Sequence, residues 1–224
     1  MSEVLHICVG SDSRMAKAER VLEHSIAKHA SCEFEIHWMR AGDPGWEVSG
    51  ANAWKIGREP GRPYSGVGWA TEFTGFRWAV PEYLGFTGRA VYFDVDMLVL
   101  GDVAELLEMP CEGWRSTKRP DVIVFNCVAW KGFMSIQTQK SAMRPAAEMR
   151  SLAMNLVHWQ TLTPNWNNTG KLTDDTRLYH YTDMRTQPWR PYPEWFDYDR
   201  KAPRDEAAWE LWRDTHDETL RPNK

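Results

Sequence analysis

The run Arg89-Ala90-Val91-Tyr92-Phe93 leads straight into Asp94-Val95-Asp96, and a second apolar run, Met97 to Leu100, follows at once. Apolar runs this short are read as buried strands. The carboxylates between them are costly to bury unpaired. The chain must therefore bring Asp94 and Asp96 to the place where a strand runs out and water can enter. On extended backbone, side chains two residues apart face the same way. A divalent cation would satisfy both, since Mg²⁺ or Mn²⁺ is usually held by one or two carboxylates plus substrate phosphates. The alternative is a solvated turn with two exposed aspartates.

The rest of the chain alternates strand and helix signals. Val4 to Val9 is apolar apart from His6 and ends in Gly10-Ser11-Asp12-Ser13, a strand, a turn and a helix start. A helix is expected over Arg14 to Lys28, with Val21, Leu22, Ser25 and Ile26 on one face. From Glu33 to Trp38 apolar and polar residues alternate, as in a half-buried strand. Arg40 to Gly68 is rich in Gly and Pro and too long for a plain connection, which suggests a functional loop. Phe73, Phe76, Arg77, Val80 and Leu84 recur at helical spacing, so Thr71 to Leu84 reads as helix. Strands are expected over Val122 to Phe125 and Leu178 to Tyr181, and helices over Pro145 to Leu156 and Glu206 to Thr215. This alternation predicts an α/β fold with a mainly parallel, mixed sheet flanked by helices. Ligands bind such sheets at the carboxyl ends of strands, where Asp12, Asp94 and Asp96 fall. The 224 residues suit a single domain, with a core over about 4–189 and a Trp-bearing helical extension over 190–224.

A net charge of −4 gives no footprint for nucleic acid. Cys8, Cys32, Cys111 and Cys127 fit no zinc spacing and are expected to be reduced thiols. No apolar run reaches the ~20 residues of a membrane span, and Met1 to Gly10 lacks the basic start of a signal peptide, so a cytoplasmic location is expected. The 13 Trp supply core volume and stacking surface for sugar rings. His6, His24, His29, His37, His158 and His216 show no metal-like mutual spacing and read as structural or surface residues. The loop Gly57 to Tyr64 would fold over a phosphate or acceptor, or be merely solvated. Trp209, Trp212 and Arg213 read as packing onto the domain.

Tyr92-Phe93-Asp94-Val95-Asp96-Met97-Leu98-Val99-Leu100-Gly101-Asp102 resembles the D-x-D signature of glycosyltransferase family 8, the group of glycogenin and the bacterial lipopolysaccharide galactosyltransferases. Phe73 to Arg77, Val124-Phe125-Asn126, Trp166-Asn167, and His180-Tyr181-Thr182 followed by Pro188-Trp189 are similar to further family motifs, in the family's order. The resemblance implies a GT-A fold and transfer of a sugar, with retained anomeric configuration, from a nucleotide diphosphate-sugar, UDP-sugar favoured. The acceptor would be a glycan, a lipid-linked group or a protein. It implies Mn²⁺ or Mg²⁺ held by Asp94, Asp96 and His180, with Asp94 and Asp96 as the catalytic pair. Asp12 would lie near the nucleoside, and Arg77, Asn126 and Gln187 near the donor.

The chain also departs from the pattern. Cys127-Val128 follows Asn126, Asp183 stands where Gly is usual, and Gln187 replaces a phosphate-binding Lys, leaving Arg185 to supply the charge. No Asp-Gln pair occurs between Lys131 and Pro164. Two other readings therefore stand: a nucleotide- or sugar-binding module without turnover, and a phosphohydrolase using Asp94 as nucleophile.

Overall fold

The computed structural model describes residues 4–51, 53–54, 71–141, 146–183, 186–189 and 205–221. The apolar runs build a six-stranded sheet in the order β2-β1-β3-β6-β5-β7. Its strands are β1 (Leu5–Asp12), β2 (Phe34–Ala41), β3 (Arg89–Asp94), β5 (Trp114–Ser116), β6 (Val122–Asn126) and β7 (Trp159–Thr161). β1 pairs in parallel with β2 and β3, and β5 with β7, whereas β6 lies antiparallel between β3 and β5. A second sheet pairs β4 (Met97–Val99) antiparallel with β8 (Leu178–His180). The expected single α/β domain with a mostly parallel mixed sheet is thus what forms.

Helix α1 (Ala16–His29) lies on the face of β1 from which Ser11 donates to its Glu19 at 2.7 Å, and packs against β4, burying the expected Val21, Leu22, Ser25 and Ile26. Asp12 ends β1 and accepts the Arg14 backbone N–H at 2.8 Å, which starts the helical turn that precedes α1. On the opposite face, Gly10 stands beside Tyr92, and a Cβ there would collide with the Tyr92 hydroxyl. Glycine at this position is needed for that close approach. Buried Trp46, Trp54 and Phe76 pack as one aromatic layer, and Trp78, Trp114 and Trp130 as another. Trp is thus mainly core material here.

Several expectations are adjusted. Thr71 to Leu84 is not one helix: a 3-10 turn over Phe76–Ala79 precedes the short α2 (Val80–Tyr83), with Pro81 in its first turn. Helices α3 (Ala104–Glu108) and α4 (Ile136–Ser141) and strands β5 and β7 were not expected. The helix in the Pro145 region is α5 (Ala146–Leu156). Helix α6 (Glu206–Thr219) packs Ala208 and Trp212 in a cluster with Val21 of α1, Leu98 and Tyr181. Glu218 of α6 accepts from Lys28 at 2.9 Å and lies 3.0 Å from His24, both on α1. The four cysteines are free thiols. Among the described residues no helix is long and apolar enough to cross a membrane. The loop Gly57 to Tyr64 and Arg185 lie outside the described residues.

Candidate metal and donor site

The chain bends at Val95 and Asp96, so Asp94 and Asp96 do not sit on one extended strand as expected. Asp94 keeps the strand geometry of β3. Its carboxylate therefore shares a face with Tyr92, two residues earlier, and accepts the Tyr92 hydroxyl at 2.7 Å. The Arg77 guanidinium donates to both Asp94 oxygens, at 2.8 and 2.9 Å. A second arm of Arg77 donates to Asp121 at 3.0 Å. Arg77 is itself buried, and its charge is held by these two carboxylates. Arg77 thus fixes Asp94 against Asp121.

Asp121 escaped the sequence reading. It stands just before β6, and the antiparallel run of β6 brings this end, not the far end, beside Asp94: the Asp94 N–H donates to the Asp121 carbonyl at 3.3 Å. The same direction sets Asn126 at the other end. It pairs with Arg89 at the opposite end of β3, and its side-chain amide donates to the Glu112 carbonyl. Five residues of strand, roughly 17 Å, separate that level from Asp94. Asn126 therefore stands at the far end of β3 from Asp94.

His180 ends β8, and the β4–β8 register sets it opposite Met97, next to Asp96. Its Nε2 lies 3.1 Å from Asp96 Oδ1 and its Nδ1 2.9 Å from Asn167 Oδ1. Asn167 donates its amide to Thr117 Oγ1 at 3.1 Å, which directs its carbonyl oxygen at the ring. Nδ1 is thereby the protonated nitrogen, and the Nε2 lone pair meets a carboxylate oxygen. Two acceptors at 3.1 Å require a cation between them: a proton on Nε2, or a metal ion. Gln187 holds the other oxygen, Asp96 Oδ2, at 3.0 Å, and also donates to the Tyr181 carbonyl at 2.7 Å. Asp12 lies at the same edge of the sheet, two residues beyond Gly10, which pairs with Asp94. Its carboxylate accepts from Arg14 Nη2 at 2.7 Å.

The electrostatics follow from burial and from opposed charges. Burial pushes Asp94 up to about 6, against the pull of Arg77. Burial also works against ionised Asp121, yet His180, Arg77 and Arg119 outweigh it and hold its carboxyl below the usual range. Burial disfavours the His180 imidazolium, but Asp96 and Asp121 prevail and raise its pKa. Three carboxylates thus share two arginines and one imidazole, which leaves an excess of negative charge when His180 is neutral.

This donor set fits a divalent cation. Ligand atoms of Asp94, Asp121 and His180 lie within 4.8 Å of one another, and Asp96 adjoins them through His180. Two donors bound at right angles to an ion at ~2.1 Å stand about 3.0 Å apart, close to the His180–Asp96 spacing. Asp121 Oδ2 is buried without a hydrogen bond, although Arg119 Nε approaches it to 2.9 Å. Nitrogen with carboxylate oxygen suits Mn²⁺ or Mg²⁺ better than a soft ion. His180 hydrogen-bonded through its second nitrogen is the usual state of a metal-bound imidazole.

A comparison with known protein families finds no match, and neither does one with curated proteins. Solved structures do match. Glycosyltransferase GlyE of Streptococcus pneumoniae is similar with a TM-score of 0.60 at 14% identity, over 98% of this chain and 63% of its own. This chain therefore spans less than two thirds of that protein. The galactosyltransferase LgtC, in complex with donor and acceptor sugar analogues, is similar with a TM-score of 0.62 at 15% identity, over 98% of both chains. The bifunctional glycosyltransferase WbbM matches over 96% of this chain with a TM-score of 0.57 at 13% identity. At such identities it is the fold that is shared, and the chain has the GT-A glycosyltransferase fold.

Proposed function

We propose that the protein is a metal-dependent, retaining glycosyltransferase that moves a sugar from a nucleotide diphosphate-sugar, UDP-sugar favoured, to a glycan, lipid-linked or protein acceptor. The observation that carries this reading is the His180–Asp96 pair at 3.1 Å, with Nδ1 of His180 already engaged by Asn167. It stands at the strand-end edge of a GT-A sheet, where this architecture binds its ligands. LgtC, of the same fold, has been solved with donor and acceptor sugar analogues, which supports a nucleotide-sugar donor here.

In this reading Asp94, Asp96 and His180 hold Mn²⁺ or Mg²⁺, with Asp121 as a further candidate. A bound cation would neutralise the charge that develops on the leaving diphosphate. The chain's own residues do the rest. Arg77 holds Asp94 and Asp121 at fixed spacing, Asn167 sets the His180 tautomer, and Gln187 aims Asp96. Gln187 stands where the resembled family has a Lys, and from its place on Asp96 it is kept among the residues near the donor. Asp12 is assigned to the nucleoside end, and Arg185 to the diphosphate. Residues 4–189 form the transferase unit, and α6 packs against it as an extension.

A second reading, donor binding without turnover, is favoured by one observation: Arg77 and Tyr92 already engage the carboxylate of Asp94. One experiment separates the two. The protein is incubated with a panel of nucleotide sugars and Mn²⁺, with and without cell extract, and nucleotide release is followed. Release that needs acceptor, with a product of unchanged anomeric configuration by proton NMR, is the expected result. Tight donor binding with no release under any condition favours the module, and an inverted product refutes retention.

A further inference from the structure

We propose that His6, Glu35 and His37 form a second metal site, suited to zinc, that clasps edge strand β2 to β1 at the end of the sheet away from the carboxylates. In sequence these residues have no metal-like spacing. The parallel register creates the site: His6 pairs with Glu35 and Cys8 with His37, so all three side chains leave the same face of the two strands.

The same three atoms define the geometry. His6 Nδ1 lies 3.0 Å from His37 Nε2 and 3.5 Å from Glu35 Oε2, and His37 Nε2 lies 3.7 Å from that same oxygen. A point about 2.0 Å from all three exists inside this triangle, which is the bond length of zinc to imidazole nitrogen and carboxylate oxygen. Hydrogen bonding alone accounts for the arrangement poorly. The two imidazole nitrogens can share one proton at 3.0 Å, but the carboxylate oxygen is at the limit of, or beyond, useful hydrogen-bond range from both rings. It stands at the spacing of ligands around an ion.

The surroundings support loading. His6 and Glu35 are 36% and 59% exposed at the side chain, which gives an entry path and a water-filled fourth position. His37 is 14% exposed and braced edge-on by the Tyr83 ring at 5.6 Å. Cys8, two residues after His6 and opposite His37, is fully buried. His6 precedes Gly10, the partner of Asp94, by four residues, about 13 Å of strand. The two sites are therefore separable by mutation.

Zinc binding is measured by calorimetry on the full chain carrying His180→Gln, which weakens the other site. About one Zn²⁺ per chain is expected, with Co²⁺ giving the intense visible bands of a four-coordinate site. Adding His37→Gln or the solvent-facing Glu35→Gln should weaken zinc at least by the roughly 10–100-fold that even outer-shell partners cost. Zinc should raise the urea midpoint of the His180→Gln chain and leave that of the His37→Gln double variant unchanged. No zinc binding to the His180→Gln chain, or binding untouched by both added substitutions, overturns the proposal. Circular dichroism of each variant without metal separates lost ligation from lost fold.

Discussion

Replacing Arg77 with Leu removes the cation that two buried carboxylates share. Arg77 makes two hydrogen bonds to Asp94 and one to Asp121, and its guanidinium lies over the Tyr92 ring at 5.2 Å. Leu fills part of the volume but leaves both carboxylates without that partner. Breaking a buried ion pair by removing one member costs about 3–5 kcal/mol. With a urea dependence of ~3 kcal/mol per molar, the midpoint should fall by roughly 1–2 M at pH 7. The loss should also depend on pH. Asp94 is already raised to about 6 in the native protein, and without Arg77 it rises further. A raised folded pKa means stability that is present below the unfolded value and lost as pH rises through the folded one. The Asp94 share of the penalty should therefore be small near pH 4 and grow through pH 6 and above, on top of an Asp121 share that is lost only at pH values below the usual carboxylate range. Mn²⁺ should restore part of it by supplying the missing positive charge. Urea titrations at pH 4.5, 6 and 8, with and without Mn²⁺, make the test. A loss of equal size at every pH would mean that Arg77 serves only as packing, and no loss at all would refute the bracing role outright.

Four further outcomes are expected. His180→Ala should leave Asp96 and Asn167 short of a buried partner, lowering stability by about 1–3 kcal/mol, and should also raise the Mn²⁺ concentration needed for donor binding; a melting curve and an Mn²⁺ titration on one sample check both. Because Asp96 and Asp121 raise the His180 pKa, bound metal must displace a proton, and wild-type affinity should weaken as pH falls below that raised value. Gly10→Ala should cost about 1–3 kcal/mol through its clash with Tyr92, readable as a lowered urea midpoint. Lys28 and His24 lower the Glu218 pKa, so its contribution is present above pH 4.5 and fades as pH falls; Glu218→Gln should cost under ~1 kcal/mol at pH 7 and progressively less as pH falls below 4.5, by paired thermal melts.

What the sequence made legible were the features that repeat locally. The apolar run before Asp94, the α1 face and the alternation in β2 each carry their signal within a dozen residues. Strands β5 and β7 have three residues each, too few for any period to emerge. Asp121 and Asn126 show the stronger limit. Which end of β6 meets Asp94 depends on strand direction, a property of the whole sheet that no local pattern encodes. The resemblance placed His180 and the Trp166-Asn167 turn in one order along the chain. Only the backbone links from His180 to Asn168 and from Tyr181 to Asp96 explain why the imidazole stands between Asn167 and Asp96. The convergence of His6 with Glu35 and His37 has no local signal for the same reason, since it comes from register.

The central claim is that Asp96 and His180 hold the ion on which glycosyl transfer depends. The most direct test compares nucleotide release from the best donor sugar by the wild-type chain and by Asp96→Asn, each in excess chelator and across an Mn²⁺ titration. Asn keeps the volume and the Gln187 neighbour but removes the charge that faces His180 Nε2. Wild-type release should vanish in chelator and return with Mn²⁺, while Asp96→Asn should need far more Mn²⁺ or fail to recover. Full wild-type release in chelator, or an Asp96→Asn chain with an unchanged Mn²⁺ requirement, would contradict the account.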